Sequence, residues 1–209
     1  PKEVYEKYEK VVGNCTVCNT TKPAPIRAHV SGMRANNFGD LVFVDHAEFT
    51  ISTGTGSKKK SSKYLLLLVL DAASSLLWVY PQVSVSVEET LEAFREFMSQ
   101  MNLRPKNLLG DMAFSGPTFQ RFYAYHAINY IPTGSRTPWP NRAETAVRLY
   151  KKAFYRLVQD VSDDPTLKNP SFAQLAQKCC WARNIAPMFS GLSPIEVAFG
   201  RRPPDLLNV

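Results

Sequence analysis

The stretch Leu41-Val42-Phe43-Val44-Asp45-His46-Ala47-Glu48-Phe49 decides how this 209-residue chain is read. Its β-branched and aromatic side chains predict a buried strand over about 40–51, with one acid in the middle of an apolar run. A carboxylate inside such a strand costs free energy unless something neutralises it. Asp45 is therefore the first candidate functional residue. His46 points away from Asp45 by strand alternation, and Glu48 falls on the opposite face as well.

Working outward, a Gly/Ser/Lys stretch at 53–63, with Lys58-Lys59-Lys60 inside it, predicts a hairpin extension. The run at 64–70 is apolar throughout and predicts a central strand, and a third strand follows at about 76–80. Leu91, Phe94, Met98 and Met101 mark one face of a helix over about 88–102. A short strand ends at Leu109, Phe119, Phe122 and Tyr123 suggest a second helix, and 128–131 a fifth strand. Asn141 is placed to cap a long helix over about 142–160, and another helix covers about 171–184. Ser193-Pro194-Ile195-Glu196 joins a capping box to proline at the first helical position. Three antiparallel strands, then helix-strand-helix-strand-helix, give an α/β order with a mixed sheet. There is no internal repeat.

With 44% apolar residues the chain can build a full core. A net charge of +7 and a pI of about 9.3 favour polyanionic partners such as nucleic acid, although a solubility charge spread over the surface fits the same figures. No apolar run approaches the roughly 20 residues needed to span a bilayer. The start, Pro1-Lys2-Glu3-Val4, has no signal-peptide pattern and no Met, as expected of a fragment of something longer. Four cysteines are too few for a disulfide scaffold. Cys179-Cys180 are expected as small buried residues rather than a bridge, and the location as intracellular and reducing.

Two further acids join Asp45. Asp111, in Leu108-Leu109-Gly110-Asp111, stands just past a strand end, and Glu144, in Pro140-Asn141-Arg142-Ala143-Glu144, in the first turn of a helix. Singly, Asp111 also reads as a turn residue and Glu144 as an acid that favours a helix N-terminus. Converging on one point, the three would form an all-oxygen site suited to Mg²⁺ or Mn²⁺. Two ions held there activate a water or a 3′-hydroxyl and stabilise the leaving oxygen of a phosphoryl displacement. Asp71 ends its strand as a turn acid would. Arg148 and Lys151 fall at i+4 and i+7 from Glu144, on the same helix face, with Lys152 next to them. They are expected to grip DNA phosphates, though a solvated helix with a Glu–Arg pair has the same spacing. His126 is expected to be a satisfied structural residue.

At this point the chain resembles the integrases of gypsy-type retrotransposons and retroviruses, which carry an Asp, Asp, Glu triad on a ribonuclease H-like fold. Gly39-Asp40-Leu41-Val42-Phe43-Val44-Asp45 looks like the first-acid strand. The segment from Tyr64 to Ser74 looks like the apolar strand ending in an Asp-x-x-Ser turn. Asp111-Met112-Ala113-Phe114 stands where the family has an Asp-Asn-Gly-x-x-Phe type sequence, and the approach to Glu144 resembles the family's Pro-x-Asn-Gly-x-x-Glu. Gly191-Leu192-Ser193-Pro194 and Phe199-Gly200-Arg201-Arg202-Pro203 look like the segment that closes gypsy-type catalytic domains. The chain departs from the pattern at Met112-Ala113 and at Arg142, and its spacing from Asp111 to Glu144 is a few residues short.

The resemblance implies a mixed five-stranded sheet flanked by helices, with a short helical N-terminal appendage. It implies a catalytic core with C-terminal helices over 39–209, behind a zinc-module remnant and linker over 1–38. It implies DNA 3′-end processing and strand transfer, with Asp45, Asp111 and Glu144 holding two Mg²⁺ or Mn²⁺ ions. Arg148, Lys151 and Lys152 would bind donor DNA, and residues 133–139 would form a mobile loop near the cut. DNA ends and target DNA, a homo-oligomer and a nuclear site of action follow from it. Cys15 and Cys18 look like half of the family's His-His-Cys-Cys zinc site. Residues 1–14 contain no His, so zinc is expected only in a longer parent protein. The alternatives are a catalytically weak or inactive integrase-derived binding domain for nucleic acid or protein, and a ribonuclease H-like nuclease.

Overall fold

The computed structural model describes residues 35–53, 60–133, 142–163, 170–188 and 191–201. Strand β1 (Leu41–Thr53) pairs antiparallel with β2 (Lys60–Asp71), which pairs antiparallel with β3 (Leu77–Gln82). Helix α1 (Val87–Met101) leads to β4 (Asn107–Gly110), a one-turn 3₁₀ segment (Met112–Phe114), α2 (Pro117–His126) and β5 (Asn129–Pro132). Helices α3 (Arg142–Asp163), α4 (Phe172–Ile185) and α5 (Pro194–Phe199) follow. The strands form a five-stranded mixed sheet in the order β3-β2-β1-β4-β5, with β4 parallel to both β1 and β5. This is the expected ribonuclease H-like arrangement, with helices on both faces.

The alternation in β1 sorts the core into two layers. Leu41, Phe43, Ala47 and Phe49 face Ala146, Tyr150 and Phe154 of α3 and Leu175, Ala176, Cys179 and Cys180 of α4. Val42 and Val44 face Leu91, Phe94 and Phe97 of α1 and Phe119, Phe122 and Tyr123 of α2. Both cysteines of α4 are buried and free, as their setting in the sequence implies. Asp45 thus takes a place in the α3 layer that an apolar side chain would otherwise fill.

Helix starts follow their caps. Ser86 accepts from Glu89 N at the head of α1, and capping boxes at Ser171/Gln174 and Ser193/Glu196 open α4 and α5. Strand β2 begins earlier than its apolar run, because the polar 60–63 segment pairs with residues 50–53 of β1. Edge strand β3 is closed by α4: Gln177 Nε2 donates to Val79 O (2.9 Å), and Cys180 Sγ to Leu77 O (3.0 Å). Such covering protects a sheet edge from further pairing.

Asp71 has the structural role its position indicates. It is almost fully buried, accepting from Gly39 N (2.9 Å), Ser74 N (2.7 Å) and Ser74 Oγ (2.7 Å). These bonds tie the β2–β3 turn to the entry of β1. Among the described residues, no helix is long and apolar enough to cross a membrane.

Candidate active site

Strand β1 lies beside the parallel β4 with Phe43 opposite Leu109. Two residues further on stand Asp45, within β1, and Asp111, just past the end of β4 in extended backbone. Alternation puts both on the face from which Phe43 and Leu109 pack towards α3. Between Leu109 and Asp111, Gly110 passes close to its neighbours. A Cβ there would meet Val44 Cγ2 at 2.8 Å and Phe114 Cδ2 at 3.0 Å. Glu144 enters from above the sheet, in the first turn of α3, two residues before the buried Ala146.

The charges reach one another. Burial pushes the Asp45 carboxyl up to about 6, the negative charge of Asp111 adds to the rise, and Glu144 adds further. The His46 backbone N–H and the Lys151 ammonium oppose it. Asp45 is half-buried, whereas Asp111 and Glu144 are exposed. Among the described residues, no three His, Cys, Asp or Glu side chains are gathered closely enough to hold an ion. The convergence expected from sequence is therefore one of face and field rather than of ligating distance. One reason is visible at Asp111, whose Oδ1 accepts from Ala113 N at 3.0 Å and so caps its own turn. Mutual repulsion of the carboxylates acts in the same direction.

The basic residues divide. Lys151 is half-buried, with Nζ 5.5 Å from the centre of the Phe49 ring and close enough to act on Asp45. Arg148 and Lys152 are exposed on the same helix.

His46 points to the other face of the sheet, where the charge of Asp111 still acts on it. His46 stacks on Phe114 (centroids 4.9 Å apart), and its Nε2 is 3.3 Å from Thr90 Oγ1, on the α1 side of the sheet. Burial lowers its pKa. His126 departs from expectation in one respect: among the described residues its Nδ1 is buried with no hydrogen-bond partner. The α2 C-cap turns at Ala127 with φ +54°, and the ring is held by Phe122 and Tyr125 contacts instead. Cys15, Cys18, Asn141 and residues 134–139 of the expected mobile loop lie outside the described residues.

Sequence reasoning missed the residues that hold Asp111. Tyr130 of β5 donates its hydroxyl to the carbonyl oxygens of Gly110 (3.2 Å) and, more closely, Asp111. Thr133 donates to Gly110 O from its backbone N–H (2.7 Å) and its hydroxyl (3.1 Å). Only pairing β5 with β4 brings these side chains to the turn, and no local periodicity signals that.

No protein-family model and no curated protein matches the sequence. Solved structures do. The HTLV-2 integrase catalytic core domain, in complex with magnesium in a trimeric form, aligns with a TM-score of 0.61 at 20% identity, over 79% of this chain and 99% of that one. The catalytic core domain of BIV integrase aligns with a TM-score of 0.59 at 12% identity, over 78% and 95%. A chain of the simian T-cell lymphotropic virus intasome in complex with PP2A regulatory subunit B56 gamma gives 0.69 at 16% identity, over 96% of this chain and 68% of that one. These likenesses establish that the chain has the fold of retroviral integrase catalytic cores.

Proposed function

We propose that this chain is a divalent-metal-dependent polynucleotidyl transferase of the integrase type, which processes DNA 3′ ends and joins them to target DNA. The observation that carries the reading is Asp45 on β1 beside Asp111 at the end of the neighbouring parallel strand, with both Asp111 and Glu144 near enough to act on Asp45. A fold shared with integrase cores supports it.

The donor set suits a hard cation. All three side chains are acceptor-only carboxylates, and the Asp45 pKa is raised first by burial and then by the charges of Asp111 and Glu144, a cost that a bound cation would offset. Asp45, Asp111 and Glu144 would hold Mg²⁺ or Mn²⁺, as two ions. When bound, the ions would supply activation of water or a 3′-hydroxyl and stabilisation of the leaving oxygen. The chain's own residues do the rest. Arg148, Lys151 and Lys152 of α3 bind donor-DNA phosphates by charge, Arg148 and Lys152 from exposed positions and Lys151 from beside Asp45. Phe43 and Phe49 flank Asp45 along β1 with buried apolar surface.

In this reading residues 39–209 form the catalytic core with its C-terminal helices, and residues 1–38 are a zinc-module remnant and linker. Cys15 and Cys18 hold zinc only where a longer parent supplies the two histidines. The chain works as a homo-oligomer on element ends and target DNA, in the nucleus. The HTLV-2 cores described in dimeric and trimeric forms, and the intasome, favour assembly.

A second reading has an observation of its own. The acids are not gathered into a ligand set, and Asp111 spends one oxygen on its turn, which favours a weak or inactive integrase-derived nucleic-acid or protein-binding domain. Calorimetric titration with Mn²⁺ separates the two. Binding that is lost in Asp45→Asn supports the enzyme, and no binding by the wild type supports the binding domain.

A further inference from the structure

The turn that carries Asp111 is held from outside itself. Met112 is 61% exposed and Ala113 is exposed as well, while Phe114 is buried against His46, Phe94 and Phe119 and anchors the end of the turn. Locally it has the Ala113 N–H bond to Asp111 Oδ1 and the Phe114 N–H bond to Asp111 O (3.2 Å). Beside the two Thr133 bonds to Gly110 O, two tyrosines on other elements hold the turn at its ends. Tyr130 of β5 reaches the carbonyl oxygens of Gly110 and Asp111 at the head of the turn. Tyr123 of α2 donates to Phe114 O at its tail (3.0 Å). The two rings stack face to face, with centroids 5.0 Å apart and planes 14° apart. Tyr123 is 2% exposed and packed in the α1–α2 core, so the pair transmits the rigidity of that core to an exposed acid.

We infer that Tyr130 is a positioning residue for Asp111: its hydroxyl, fixed by the stack on Tyr123, holds the 110–114 turn so that the Asp111 carboxylate stays on the face that carries Asp45. The inference rests on the integrase reading for its consequence in chemistry, and on the hydrogen bonds alone for its consequence in structure. A turn able to rock by an ångström would misplace one of three acids, and misplacement on that scale costs a reaction roughly a hundredfold. Supporting partners of metal ligands carry about tenfold or more in metal affinity.

The test compares Tyr130→Phe, which keeps the ring stack and removes only the hydroxyl, with the wild type and with Tyr125→Phe, whose hydroxyl lies on the exposed side of α2. Three readouts are taken on the full chain: turnover of a branched DNA mimicking the strand-transfer product with Mn²⁺, the calorimetric Kd for Mn²⁺, and hydrogen exchange of the Ala113 amide. The expected result for Tyr130→Phe is a kcat reduced between about tenfold and a hundredfold with KM unchanged. A Kd weakened about tenfold and faster Ala113 exchange are expected with it, while amides of β1 and β2 stay protected. Tyr125→Phe is expected to match the wild type in all three.

Wild-type values of kcat, Kd and Ala113 exchange in Tyr130→Phe overturn the inference. Faster exchange with unchanged kcat and Kd overturns it too, because the brace would then be structural only. If the wild type neither turns over nor binds Mn²⁺, the integrase reading fails separately. The exchange rate then decides: faster exchange upholds Tyr130 as the brace of the turn, and an unchanged rate overturns it.

Discussion

The ammonium of Lys151 stands 5.5 Å from the centre of the Phe49 ring, on the sheet face that also carries Asp45. The aromatic face keeps this cation beside a buried wall instead of free in solvent, and there it opposes the rise in the Asp45 pKa.

Replacing Lys151 with Gln should therefore raise the Asp45 pKa above about 6, since one of the two influences holding it down is lost. Carboxyl-resolved NMR titration of the metal-free protein reads this directly. The same variant should weaken DNA binding across all sequences and reduce its salt slope by about 1. A slope equal to that of the wild type would show that Lys151 touches no phosphate.

Asp45 makes stability depend on pH in an unusual direction. Its folded pKa of about 6 lies above the ordinary 3.8, so the folded state binds the proton more tightly than the unfolded chain. The carboxyl's favourable share of stability is complete below the ordinary value and is lost as pH rises through about 6. The full shift corresponds to roughly 3 kcal/mol, and screening at a half-buried site leaves on the order of 1 kcal/mol. Asp45→Asn should thus stabilise the metal-free protein at pH 7.5 and give no gain at pH 4, as measured by thermal unfolding at both. A stabilisation equal at the two pH values would contradict the assignment of the cost to ionised Asp45.

Gly110→Ala tests the close approach of β4 to β1. The added methyl would lie 2.8 Å from Val44 Cγ2 and 3.0 Å from Phe114 Cδ2, so side chains on both sides of the sheet entry must shift. Overpacking of this kind costs about 1–3 kcal/mol. Denaturant unfolding should show that loss, and Ala113 amide exchange should accelerate with it. An unchanged midpoint would mean that Val44 yields freely.

Asn184 binds both backbone groups of Leu77, accepting from its N–H at 3.0 Å and donating to its carbonyl at 2.7 Å. Asn184→Ala leaves both edge groups of β3 without that partner in a buried setting, at about 1–3 kcal/mol for a stranded buried group. Urea unfolding should report the loss, with Mn²⁺ affinity unchanged. A cost below about 0.5 kcal/mol would mean that water replaces the side chain.

Most of the sheet was legible because its signals are local. The unbroken apolar run before Asp71 marked a central strand, the alternation around Asp45 marked β1, and Ser193-Pro194-Ile195-Glu196 marked a helix start that the structure retains. The early start of β2 was not, since 60–63 is polar and is held as strand only by its partner in β1. The brace on Asp111 was hidden for a related reason: Tyr123, Tyr130 and Thr133 meet the turn through sheet pairing and helix packing, and spacing along the chain says nothing of that. Sequence could not show that the His126 Nδ1 has no hydrogen-bond partner among the described residues, because that depends on what α1 and α2 place beside it. The acids were placed on the right elements, but sequence could not show that Asp111 would turn one oxygen to Ala113.

The central claim is that Asp45, Asp111 and Glu144 form a working site, and one comparison tests it most directly. A branched DNA mimicking the strand-transfer product is incubated with Mn²⁺ and either the wild type or Asp111→Asn, with folding of both checked by circular dichroism. The account predicts metal-dependent resolution by the wild type and its loss in the variant. Equal resolution by both, or none by a folded wild type, would contradict it.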